Sequence, residues 1–141
     1  MLDAIRNFGQ SGAVLLLGLA VGGAWMAAIV APNTSYDNLD SGDADRHVKG
    51  LLKSASDPLA VLLLVAGGLA ILGGALVAGI TALLAAFGFF TNRWTLGKTQ
   101  SENDATGDTQ VGKTQRILAV SLTLIFTLVA VASAGLAMLG Y

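Results

Sequence analysis

Residues 107–114 read GDTQVGKT, a literal G-x4-G-K-T. In a phosphate-binding loop of that pattern, backbone amides cradle the phosphates and the lysine reaches their outer oxygens. The chemistry needs an apolar strand before the loop and a soluble α/β core around it. Here SENDAT precedes the motif and an apolar run of membrane length follows it, so no nucleotide is expected. Asp37, Asp40, Asp43 and Asp45, with His47, are the ligand types for a divalent cation. They lack the D-x-D-x-D-G spacing and the closing glutamate of a calcium loop, and such residues make turns and helix caps. No metal site is expected from them. Cysteine is absent and His47 is the one histidine, which excludes disulfides, thiolate zinc, cysteine-held iron–sulfur clusters and a haem held by two histidines. No Ser/His/Asp or paired-carboxylate arrangement can be assembled either, so the expectation is no catalytic residue and no cofactor.

The elements that would carry such groups are apolar. The chain is 54% hydrophobic and 12% charged, against about a quarter charged in a soluble domain. Its mean hydropathy is +0.69. Every Lys, Arg, Asp and Glu falls within residues 1–10, 32–57 or 92–116. The remaining stretches are long enough to cross a bilayer, whose hydrocarbon core is about 30 Å thick. A net charge of −1 argues against a nucleic-acid partner.

Residues 12–31 predict a first span. A secretory signal is the competing reading, because Arg6 precedes the apolar run; the run is too long for a signal core, and no small-x-small cleavage site follows. Pro32 predicts a helix stop, and NTSYDNLDSGD beyond it reads as turns. Near 43–55, Val48, Leu51, Leu52 and Ala55 make a narrow apolar stripe with Arg46, Lys49 and Lys53 off it. That predicts a short amphipathic helix, lying on the membrane surface or packed on the protein's own top. Residues 92–116 open with an interfacial Arg93 and Trp94 and otherwise read as loop. Residues 117–140 predict the final span, followed by Tyr141.

Residues 58–91 carry no charge, yet as one helix they would measure roughly 51 Å, far beyond one crossing. Either Gly73-Gly74 folds them into a hairpin of two spans (58–73 and 75–91), or one helix stands well out of the membrane. In the hairpin, Arg46, Lys49, Lys53, Arg93, Lys98, Lys113 and Arg116 share one side and Arg6 lies alone on the other. Since Lys and Arg accumulate on the cytoplasmic side, the four-span form is favoured over the three-span one. The expectation is thus an all-α polytopic membrane protein, one transmembrane domain over residues 1–141. Its polar loops would face the cytoplasm of a bacterial inner membrane, with the termini opposite. Lys49, Lys53, Arg93, Trp94, Arg116 and Tyr141 are the candidate anchors at the interfaces.

Ala66, Ala70, Gly74, Ala78, Ala82 and Ala86 recur at every fourth position; Gly18 and Gly22 form a GxxxG, and Ala130 and Ala134 a small-xxx-small pair. Small residues let membrane helices approach closely, either within this chain or against a partner. The glycine-rich run from Ala66 to Gly79 resembles the inner helix of rotary ATP synthase ring proteolipids. Those rings hold their ion on a mid-membrane carboxylate, and no Asp or Glu lies in any span here. Without an intramembrane ionisable group, ion pumping and coupled transport lose their usual carrier. The expected function is a non-catalytic accessory subunit that packs against a larger membrane complex, of the bacterial respiratory or photosynthetic type. Its partners would be the lipid bilayer and other membrane subunits or itself. The alternative is a self-assembling channel or permeabilising oligomer, with Thr81, Ser121, Thr123, Thr127 and Ser133 the hydroxyls available to line a pore.

Overall fold

A computed structural model describes the backbone of residues 1–106 and 109–141, and the side chains of 1–94 and 117–141. Among the described residues four helices follow one another: α1 (Leu2–Asn38), α2 (Ser41–Leu72), α3 (Leu76–Thr106) and α4 (Thr109–Leu139). All four are long and apolar enough to cross a membrane. Short connections make neighbours antiparallel: α1 packs on α2, α2 on α3, α3 on α4, and α4 closes back on α1.

The hairpin form holds. Gly74 takes φ +87°, a left-handed conformation that costs an L side chain about 1–2 kcal/mol and glycine nothing. The Gly74 N–H donates to the Ile71 carbonyl at 3.0 Å and the Ala75 N–H to Ala70 at 2.9 Å, so the reversal satisfies the last carbonyls of α2 inside an apolar turn. Gly140, at φ +80°, ends α4 in the same way, with Gly140 donating to Ala137 and Tyr141 to Leu136. The Tyr141 carbonyl then accepts from the Ala78 N–H at 3.1 Å, meeting a first-turn donor of α3 that has no partner in its own helix.

Three expectations for the polar segments are corrected. Pro32 does not stop α1. The helix widens to a π segment over Met26–Val30, with the Ala31 N–H bonded to Met26, five residues back, and then runs on to Asn38. A proline inside a regular helix pushes its ring against the carbonyl four residues earlier; the wider turn just before it relieves that crowding. The 43–55 stretch is no separate surface helix but the first turns of α2. Its Val48 and Leu52 are buried against Ala27, Ala119 and Val120 of the protein's own helices rather than lying on lipid. Residues 92–116 are helical in α3 and α4 over their described backbone, not loop.

These extensions give α1 about 55 Å and α2 about 48 Å of length, against about 30 Å of hydrocarbon. The excess lies at the end of the bundle where α1 meets α2. There, the Tyr36 hydroxyl donates to Asp45 across the turn, and Ala44 N–H bonds back to Asp40 at 2.8 Å.

The interior is made of alanine. Ala13, Ala20, Ala66, Ala70, Ala78, Ala82, Ala85, Ala86, Ala130 and Ala137 are buried, with Leu17, Leu63 and Phe89 the largest side chains among them. Between apolar helices in lipid there is no water to expel, so close packing and interhelical hydrogen bonds must hold the bundle.

Candidate interaction surfaces

Among the described residues, each buried side-chain polar atom has a hydrogen-bond partner. The Asn92 side-chain amide, buried, donates to Thr123 Oγ1 at 3.0 Å, and Thr123 donates in turn to the Ala119 carbonyl at 2.8 Å. Thr127 donates to the Thr123 carbonyl, and Ser133 crosses from α4 to the Ala78 carbonyl of α3 at 2.7 Å. From α1, the Gln10 amide donates to the Ala137 carbonyl at 3.1 Å. Thr81 bonds back to Val77 and Ala78 in its own helix. Of the hydroxyls considered as pore-lining, Thr123 and Ser133 are therefore spent as links between helices of one bundle, Thr127 is buried and bonded back within its own helix, and Ser121 faces outward.

The Asn92–Thr123 link yields an asymmetric expectation. Thr123→Val strands a buried amide donor and is expected to cost about 2 kcal/mol, while Asn92→Leu with Thr123→Val removes both partners and costs less. Unfolding titrations in mixed micelles of the single and double variants measure the difference. A double variant less stable than Thr123→Val would mean that this hydrogen bond is not what joins the helices.

Most of the small-residue positions are used within the chain. Ala66, Ala70, Ala78, Ala82, Ala86 and Ala130 are buried between its own helices, and Ala134 is partly buried. Gly74 makes the turn. Gly18 and Gly22 differ: both face outward on α1, and a Cβ added at either would meet nothing within 4 Å. Leu15, Leu19, Trp25 and Met26 share that exposed surface.

At the level where the apolar spans give way to charge, Arg93 pairs with Asp57 at 2.7 Å, joining α3 to α2. Gly9 lies against Gly73 and Gly23 against Leu59, so antiparallel pairing brings Trp25 level with Asp57. The chain's two tryptophans, Trp25 and Trp94, are both exposed there, as a headgroup-level belt requires. Lys53 is exposed and Lys49 partly so. At the opposite end stand Tyr141, exposed, and Arg6, whose guanidinium lies over the Gly74 turn. Arg116 and the 107–114 motif lie outside the described side chains.

Among the described residues no three of His, Cys, Asp and Glu gather as a metal site. Asp45 accepts from Tyr36, and Asp43 lies 3.9 Å from Arg46.

Several residues that matter here carry no motif. Asn92 and Gln10 stand at the edges of apolar runs, where an amide needs an interhelical partner; that position was the available signal. Gly67 and Gly79 are placed symmetrically about Gly73, and each would set a Cβ about 3 Å from the other's carbonyl oxygen. That symmetry becomes visible once a turn at Gly73-Gly74 is assumed. No family model, no curated protein and no solved structure matches this chain.

Proposed function

We propose that the chain is a non-catalytic integral membrane subunit that steadies a larger membrane complex through the outer face of α1. The observation that carries this reading is the outward Gly18–Gly22 seam. The chain uses its other small-residue seams to close its own bundle, and among the described residues a Cβ added to this one meets nothing within 4 Å. A GxxxG face open to lipid admits another helix at close backbone distance. The inventory of groups fits a role without chemistry: no Asp or Glu lies within residues 12–31, 58–91 or 117–140, and the buried hydroxyls and amides serve the fold. The excess of Lys and Arg at the loop end favours an orientation with that end toward the cytoplasm of a bacterial inner membrane and the termini outside.

Gly18→Leu with Gly22→Leu fills the seam without touching the bundle. Purified from native membranes in mild detergent, the original chain should co-migrate with larger chains, and the double variant should lose them while unfolding at the same denaturant concentration. An original chain that migrates alone contradicts the proposal. A ladder of copies of this chain alone, conducting ions in liposomes, would favour the channel reading instead.

A further inference from the structure

We propose that the loop end of α2 is a binding surface for anionic phospholipid headgroups, built by Lys53 and Lys49 and extended by Arg46. These residues recur at intervals of three and four, so they line one edge of α2, flanking the buried face of Ala44, Val48 and Leu52. Their height is set by the neighbouring helices. The Arg93–Asp57 pair and the two tryptophans mark the border of the hydrocarbon, with Trp25 on α1 and Trp94 on α3 flanking α2. Lys53 stands one turn above Asp57, about 6 Å; Lys49 stands about 12 Å above it and Arg46 about 16 Å. The headgroup layer beyond the hydrocarbon is about 5–8 Å deep on each side. Lys53 is thus at phosphate height, Lys49 reaches it with a flexible side chain, and Arg46 acts from solution within a screening length.

Charge pairing leaves these groups available. Among the described residues, Asp57 is engaged by Arg93, and no carboxylate pairs with Lys49 or Lys53. Arg46 has only a loose, exposed contact with Asp43, which water and salt screen. Of the two placements open to the apolar stripe, the structure shows burial against the protein's own helices, and that burial holds the two lysines upright above the interface rather than flat on it. An anionic lipid can then set its chains against the α2–α3 surface below Asp57 and its phosphate beside Lys53.

The test uses the full chain in bilayers with brominated lipid chains, which quench Trp25 and Trp94 on contact. Brominated phosphatidylglycerol should quench more strongly than brominated phosphatidylcholine, and raising the salt concentration should reduce the difference. Each lysine near an anionic surface contributes about a five-fold preference. Lys53→Gln should therefore lose about five-fold and Lys49→Gln less, since Lys49 stands higher above the phosphates. Arg6→Gln, at the opposite end of the bundle, should change nothing. Equal quenching of the original chain by both lipids overturns the proposal. So does an unchanged preference in Lys49→Gln with Lys53→Gln, and if that double variant fails to insert, a salt-independent preference in the original chain has the same force.

Discussion

Gly9→Ala is expected to destabilise the bundle by about 3 kcal/mol, although alanine is the better helix former. The added methyl would sit 2.8 Å from both the Gly73 nitrogen and the Leu69 carbonyl oxygen. From the other side, a methyl on Gly73 would sit 2.7 Å from the Gln10 nitrogen. These neighbours are backbone atoms, so no rotamer change relieves the contact; α1 itself must move away from the end of α2. Moving α1 also strains the adjacent Gln10 bond to Ala137, which ties α1 to the end of α4. The gain in helix propensity, about 1 kcal/mol, recovers only part of this. Gly18→Ala and Gly22→Ala provide the comparison, because they gain the same propensity in open space and should be neutral or stabilising. Unfolding titrations of the three variants in one micelle system decide the matter. If Gly9→Ala behaves like Gly18→Ala, the close crossing of α1 over the hairpin turn is wrong.

Gly88→Ala should be nearly as costly, for a different reason. Its methyl would lie 2.2–2.5 Å from three atoms of the Phe126 ring. That ring packs tilted against Phe89 at a centroid distance of 6.0 Å, with Phe89 itself buried. The ring has to leave its place between α3 and α4, giving up the aromatic contact as well as the fit, and overpacking of this kind costs about 1–3 kcal/mol. Unlike Gly9, this site can be rescued from its partner. Phe126→Ala alone opens a cavity and should cost about 3 kcal/mol. Combined with Gly88→Ala, the methyl enters space the ring has vacated, so the double variant should be clearly more stable than the sum of the two losses. Strict additivity would show that residues 88 and 126 do not meet.

The two sites show how the bundle is held. Its alanine interior brings helices near one another, and at a few points glycine brings backbone or ring into direct contact. The extended α1 and α2 carry the same packing past the membrane, where Val48 and Leu52 close on α4.

Much of this was legible in the chain itself. Segregation of all charge into three stretches established a membrane protein, and the length of 58–91 together with the placement of Lys and Arg favoured a hairpin at Gly73-Gly74. These are properties of composition and length, which act on every conformation the chain can take in lipid. In the polar segments local signals compete with packing, and packing decides. Pro32 is a stop in an isolated helix, yet a π turn and burial on the bundle carry the helix through it. The Val48–Leu52 stripe looks the same whether it faces lipid or protein, since periodicity reports that a face is apolar and not what covers it.

For the same reason the sequence could name the small residues but not sort them. Fourfold spacing marks Ala66 through Ala86 and Gly18 with Gly22 alike. Only the closure of four helices into a ring decided that the alanines are consumed inside and that the Gly18–Gly22 seam is left facing out. That division depends on which helix faces meet, and it arises from contacts between residues far apart in the chain, about which spacing along any one helix carries no information.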